Sequence, residues 1–129
     1  ALNIFDMYEK PIKKRLEKTR YRNVTDIYKL ASNVEGILST GNQTGEGWFL
    51  TAEMVELINE DVPNIVCVQP FACLPNHIVG KAVIKKIRSL YPDSNIVAID
   101  YDPGASHTNQ VNRIKLMLTV AKENIKKTN

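Results

Sequence analysis

The sequence predicts an α/β protein: a small Rossmann-like domain with a short parallel sheet, a βαβα core over 61–129 and mainly helical residues over 1–60. Three observations predict it. Ile65-Val66-Cys67-Val68 and Ile96-Val97-Ala98-Ile99 are short apolar runs rich in β-branched residues, the pattern of strands covered on both faces. After each run, apolar residues recur at helical spacing. Two buried strands joined through a helix pair in parallel, with a right-handed crossover. The 129 residues read as one domain.

Taken in order, Ile4 to Glu17 predicts a helix with Ile4, Met7, Tyr8, Ile12 and Leu16 as its apolar stripe. Pro11 falls inside it and should break or kink it, or open a second helix at its first position. Thr25 to Ile37 predicts a second helix, with Ile27, Leu30, Ala31 and Val34 inward. Leu38–Trp48 is polar and glycine-rich, a loop long enough to suspect a role. Its Gly41, Gly45 and Gly47 form neither a P-loop nor a dinucleotide fingerprint, because they follow a helix rather than a strand. Phe49–Glu60 predicts a third helix, with Leu50, Met54, Leu57 and Ile58 on one face.

The first strand, near 64–69, ends at Pro70, which has no N–H for a ladder. Phe71–Leu74 is then a loop, and Asn76 is the expected N-cap of a helix to Leu90 that buries Val79, Val83, Ile87 and Leu90. Tyr91–Ser94 is a turn before the second strand, near 95–100. A last helix, Thr108 to Ile125, carries Val111, Ile114, Leu118, Ala121 and Ile125 at alternating three and four.

The net charge of +3 is mild, and basic residues cluster near the termini, the pattern of solvated helix faces. No basic patch interleaved with aromatics argues for nucleic acid, and no apolar run reaches membrane-spanning length. Two cysteines make no disulfide framework, so a reducing cytoplasm is expected.

In parallel sheets ligands gather at the C-terminal ends of the strands. Both strand-end loops should open there, bringing Cys73 and His77 into one crevice with Asp100, Asp102 and His107. A Cys/His pair suggests nucleophile and base; Cys, His and Asp together suggest a metal. Each has a plainer reading: the aspartates bind loop amides or cap the last helix, and the histidines are solvated. Cys67, inside the strand, reads as a small hydrophobe. Cys73 lies just before a helix N-terminus, where a thiolate is favoured.

Gly45-Glu46-Gly47-Trp48, Val66–His77 (VCVQPFACLPNH), Ile99–Gly104 (IDYDPG) and Asn112–Lys115 resemble the long activator-like proteins related to 2-hydroxyglutaryl-CoA dehydratase. The resemblance covers roughly Thr40–Leu118. It implies a long polypeptide joining an ATP-binding activator part to dehydratase-like domains, with this sequence at the C-terminal end. The dehydratase subunits hold a 4Fe–4S cluster, and the cysteine of their last domain follows a strand and precedes a helix, as Cys73 does. The resemblance therefore makes Cys73 the candidate cluster ligand; Asn76, His77, Asp100 and Asp102, at the same strand ends, are the further candidate cofactor-binding residues. It also marks departures. A cubane takes about four ligands and one thiol here is well placed, so the cluster is expected in the full-length protein and not in these residues alone. ATP would bind only through a domain absent here, and Ala52-Glu53-Met54 stands where the family pattern has Gly-Glu-Met.

Three functions follow. The first is a C-terminal dehydratase-like domain contributing to an iron–sulfur or acyl-CoA site, partnered by upstream domains of the same polypeptide, a dehydratase or an acyl-CoA. The second is a small thiol-dependent α/β enzyme using Cys73 and His77. The third is a non-catalytic interaction domain.

Overall fold

The computed structural model describes residues 2–128. Helices α1 (Leu2–Leu16), α2 (Ile27–Ser32) and α3 (Phe49–Asn59) precede strand β1 (Asn64–Gln69). A π-helical turn (Asn76–Lys81) and α4 (Ile84–Leu90) lead to β2 (Asn95–Asp100), and α5 (His107–Thr128) closes the order. β1 and β2 pair in parallel as a two-stranded sheet, with Ile65 opposite Ile96 and Gln69 opposite Asp100. The molecule is thus a small α/β protein with the strands and parallel pairing expected.

The core lies on one face of the sheet. Ile65 and Cys67 of β1 and Ile96 of β2 pack against Met54 and Val55 of α3 and against Val83 and Ile87. Burying a side chain such as Ile87 fully is worth about 1.5–3 kcal/mol, and these residues pack the buried face of β1 against α3 and the Val83–Ile87 stretch. The opposite face carries α5, tied down by Asn95, whose Nδ2 donates to the Met117 carbonyl and to Asn64 Oδ1, each at 2.9 Å. A smaller cluster of Leu30, Val34 and Ala52 joins α2 to α3 beside Trp48 and Phe49. Glu56 of α3 is 2% exposed yet charged; it accepts from Thr25 Oγ1 at 2.6 Å and from Asn33 Nδ2 at 2.7 Å, with Lys29 Nζ 3.8 Å away. Those two hydrogen bonds, Thr25's first, hold its carboxyl below the ordinary carboxylate value. It clips the segment around α2 onto the core.

Several expectations are corrected. β1 is covered on one face only: Ile65, Cys67 and Gln69 are buried, whereas Val66 and Val68 are 38% and 52% exposed. The apolar run shows that the strand suits burial but not that this chain supplies both covering layers. Pro11 does not interrupt α1; it removes one backbone donor, and the Glu9–Lys13 pair straddles it, with Asp6–Lys10 one turn before. The stripe of α1 faces solvent, with Ile4, Met7, Tyr8 and Ile12 exposed. Ile27, Leu90, Leu118 and Ile125 are exposed as well. Asn76 is not an N-cap: the His77 N–H already donates to the Cys73 carbonyl, so the first turn opens before it, at Leu74.

Candidate functional site

The site is built by the connection between β1 and the π-helical turn. Pro70 stops the ladder, and the Cys73 N–H turns back to donate to the Pro70 carbonyl at 3.3 Å. Ala72 takes φ +57°, the left-handed region that a residue with a Cβ rarely adopts. Such strain persists only where surrounding structure enforces it, and it concentrates at functional loops. It sets Cys73 at the loop's end, half-buried, with its thiol donating to Asn76 Oδ1 at 2.8 Å.

The π-helical turn locks this loop to the core. The Ala82 N–H donates to the His77 carbonyl, five residues back, at 2.9 Å. The Val79 carbonyl accepts instead from the buried Thr51 hydroxyl of α3 at 2.5 Å. Gly80 allows the close approach: a Cβ there would stand 3.3 Å from Cys67 Sγ. Single π-turns within helices recur at functional sites.

The two cysteines occupy different environments. Cys67 is buried in β1, and desolvation first, then the nearby Glu46 charge, pushes its thiol above the ordinary value. A protonated, enclosed sulfur is inert. Cys73 is reachable from solvent. Its contact partner is an amide oxygen, which accepts a hydrogen bond but takes no proton. His77 is linked to Cys73 through the backbone bond at 3.1 Å, and its ring makes no hydrogen bond to the sulfur. The sulfur therefore has no preformed general base beside it.

The other predicted residues sit at the end of β2. Gln69, fully buried, donates through Nε2 to Asp100 Oδ1 at 2.5 Å and bridges the two strand ends, while its Oε1 has no hydrogen-bond partner among the described residues. Asp102 Oδ1 accepts from the Gly104 N–H at 2.7 Å, and the Asp102 carbonyl from Ala105 at 3.0 Å. Asp102 therefore organises its loop, as its plainer reading held. His107 begins α5 and is exposed. A cavity of about 380 Å³ opens here, walled by Asp100, Asp102, Ser106, Asn109, Gln110 and Arg113, with Phe71 reaching it from the β1 loop. Cys73, Asn76 and His77 do not form its walls. Among the described residues no three His, Cys, Asp or Glu side chains converge on a point that could hold a metal ion. No helix among them is long and apolar enough to cross a membrane.

No family model, curated protein or solved structure matches the chain.

Sequence reasoning missed Gln69, Arg113 and the strained Ala72. Gln69 is read from sequence as a strand end, and only the parallel register places it against Asp100. Arg113 sits within the resemblance but reaches Ala98 only once α5 folds over β2.

Proposed function

We propose that the chain is the C-terminal dehydratase-like domain of an activator-related protein of (R)-2-hydroxyglutaryl-CoA dehydratase, in which Cys73 supplies one ligand to a 4Fe–4S cluster. The observation that carries this reading is the place of Cys73: an accessible thiol on a strained loop at the C-terminal end of a parallel strand, held by Asn76. Thiolates are the ligands such clusters take. The motif residues quoted for the resemblance include this loop and the 99–104 loop, which gives the 380 Å³ cavity as the place for part of an acyl-CoA. Arg113 supplies one positive charge there beside the carboxylates of Asp100 and Asp102, and Phe71 an apolar wall.

The remaining ligands, and the ATP-dependent electron supply, belong in this reading to upstream domains of a cytoplasmic polypeptide. The exposed apolar face of α1 and the bare face of β1 suit a domain that completes its packing against such neighbours. Parent activity is then either reductive activation of a 2-hydroxyacyl-CoA dehydratase or the dehydration itself.

The test substitutes the cysteines one at a time in the longer polypeptide, purified anaerobically. Cys73→Ser should remove most of the iron and leave the fold intact. Cys67→Ala should retain iron. Loss of iron in Cys67→Ala with full retention in Cys73→Ser would reverse the assignment.

A further inference from the structure

The two edges of the sheet are treated differently. Along β2, the carbonyls pointing away from β1 are each closed by a side chain of the same molecule. Arg88 donates to Ile96, Arg113 to Ala98 at 3.0 Å, and Gln110 to Asp100 at 2.9 Å. No strand can be added there without displacing all three.

β1 has the reverse character. The Pro63 carbonyl accepts from Asn95 at 2.8 Å and the Gln69 carbonyl from Tyr101 at 2.7 Å. In a parallel ladder the N–H and C=O of one residue point to the same side, and the side alternates along the strand. The odd-numbered residues thus bond to β2, and the N–H and C=O of Asn64, Val66 and Val68 face outward, where the sheet has no further strand among the described residues. The devices that blunt a natural edge are charge, an internal proline, a bulge or a covering element. Within Asn64–Gln69 there is no charged residue and no proline, and the pairing with β2 runs without a bulge. Val66 and Val68 also expose their side chains beside α5.

The geometry points to the outer edge of β1 as the seam at which this domain joins a larger sheet, its occupant an uncharged, apolar strand of the same longer polypeptide. This rests on the reading that the domain has upstream neighbours. Two arguments select a tethered strand over a second copy. A parallel sheet is stable when both faces are covered, and a strand continuing it beside β1 would bring its own helix over Val66 and Val68. A six-residue edge is also far smaller than the roughly 800 Å² a side that free-standing interfaces bury. A tether raises the effective concentration to the millimolar range and makes so small a seam sufficient.

Hydrogen–deuterium exchange tests it. In the 129-residue chain the amides of Val66 and Val68 should exchange at nearly unprotected rates while those of Cys67 and Gln69 are protected. In the longer polypeptide Val66 and Val68 should slow by about 100-fold or more. Equal, fast exchange in both overturns the inference, as does a gene encoding no further strand. Concentration-dependent dimerisation of the 129-residue chain with protection of these two amides would give the edge to a second copy and overturn the tethered occupant. Iron content, measured on the same longer polypeptide, separates the two claims: Cys73→Ser should lose iron with the Val66 and Val68 protection intact.

Discussion

Glu56→Gln probes how the helical half is fastened to the sheet. The carboxylate accepts from Thr25 at 2.6 Å and from Asn33 at 2.7 Å while almost fully buried. An amide keeps the shape and one acceptor oxygen, and the Thr25 hydroxyl can rotate to accept from the new NH₂. What is lost is the charge on both bonds. Hydrogen bonds to charged groups contribute about 1.5–3 kcal/mol against about 1 for neutral ones, so the expected cost is about 1–2 kcal/mol near neutral pH. Glu56→Ala leaves both donors unpaired and should cost roughly 3 kcal/mol. The pH dependence identifies the mechanism. The folded carboxyl lies below its ordinary value of 4.5, so the native state binds this proton less readily than the unfolded chain. Its contribution is complete above that ordinary value and is lost as pH falls through the folded value. Urea denaturation of wild type and Glu56→Gln at a series of pH values should show a gap that is constant near neutrality and shrinks below pH 4.5. A gap that persists undiminished at pH ~2.5, or widens there, would refute the charge-assisted clip.

Gly47→Ala should destabilise by at least ~2 kcal/mol in the same assay, since Gly47 sits at φ +55° and a Cβ would lie 2.2 Å from the Asn42 carbonyl oxygen; a change under half that would mean the 38–48 loop rearranges freely. Cys67→Ala should cost on the order of 1 kcal/mol for a small cavity. Combined with Gly80→Ala, whose Cβ presses on Cys67 Sγ at 3.3 Å, the pair should cost less than the sum of the singles; strict additivity would mean that the contact is not felt.

Much of the sheet was legible because β-branched runs bounded by Pro63, Pro70 and the Tyr91–Ser94 turn leave little room for another assignment. The strands fall at Asn64–Gln69 and Asn95–Asp100, parallel as their helical connection requires. What was illegible depends on partners. An apolar strand pattern and the α1 stripe record fitness for burial, and both are realised only where another layer is present; here Val66, Val68, Ile4 and Met7 have none. Glu56 interrupts the apolar pattern of α3 and reads as solvent-facing until Thr25 and Asn33 fold over it. At the candidate site, periodicity placed Cys73 after a strand and before a helix. It could not foresee that a positive φ at Ala72 would precede it, that a π-turn would follow, or that Asn76 would hold the sulfur rather than cap the helix. Those are outcomes of local backbone geometry and one side-chain bond, which periodicity does not encode.

The most direct measurement is a cysteine footprint on the longer polypeptide, alkylated under anaerobic conditions before and after reconstitution with iron and sulfide. Cys73 should label readily in the cluster-free protein and become protected in proportion to the iron bound, while Cys67, enclosed in β1, stays unlabelled in both states. Full labelling of Cys73 in protein that carries its complete iron would contradict its role as a cluster ligand.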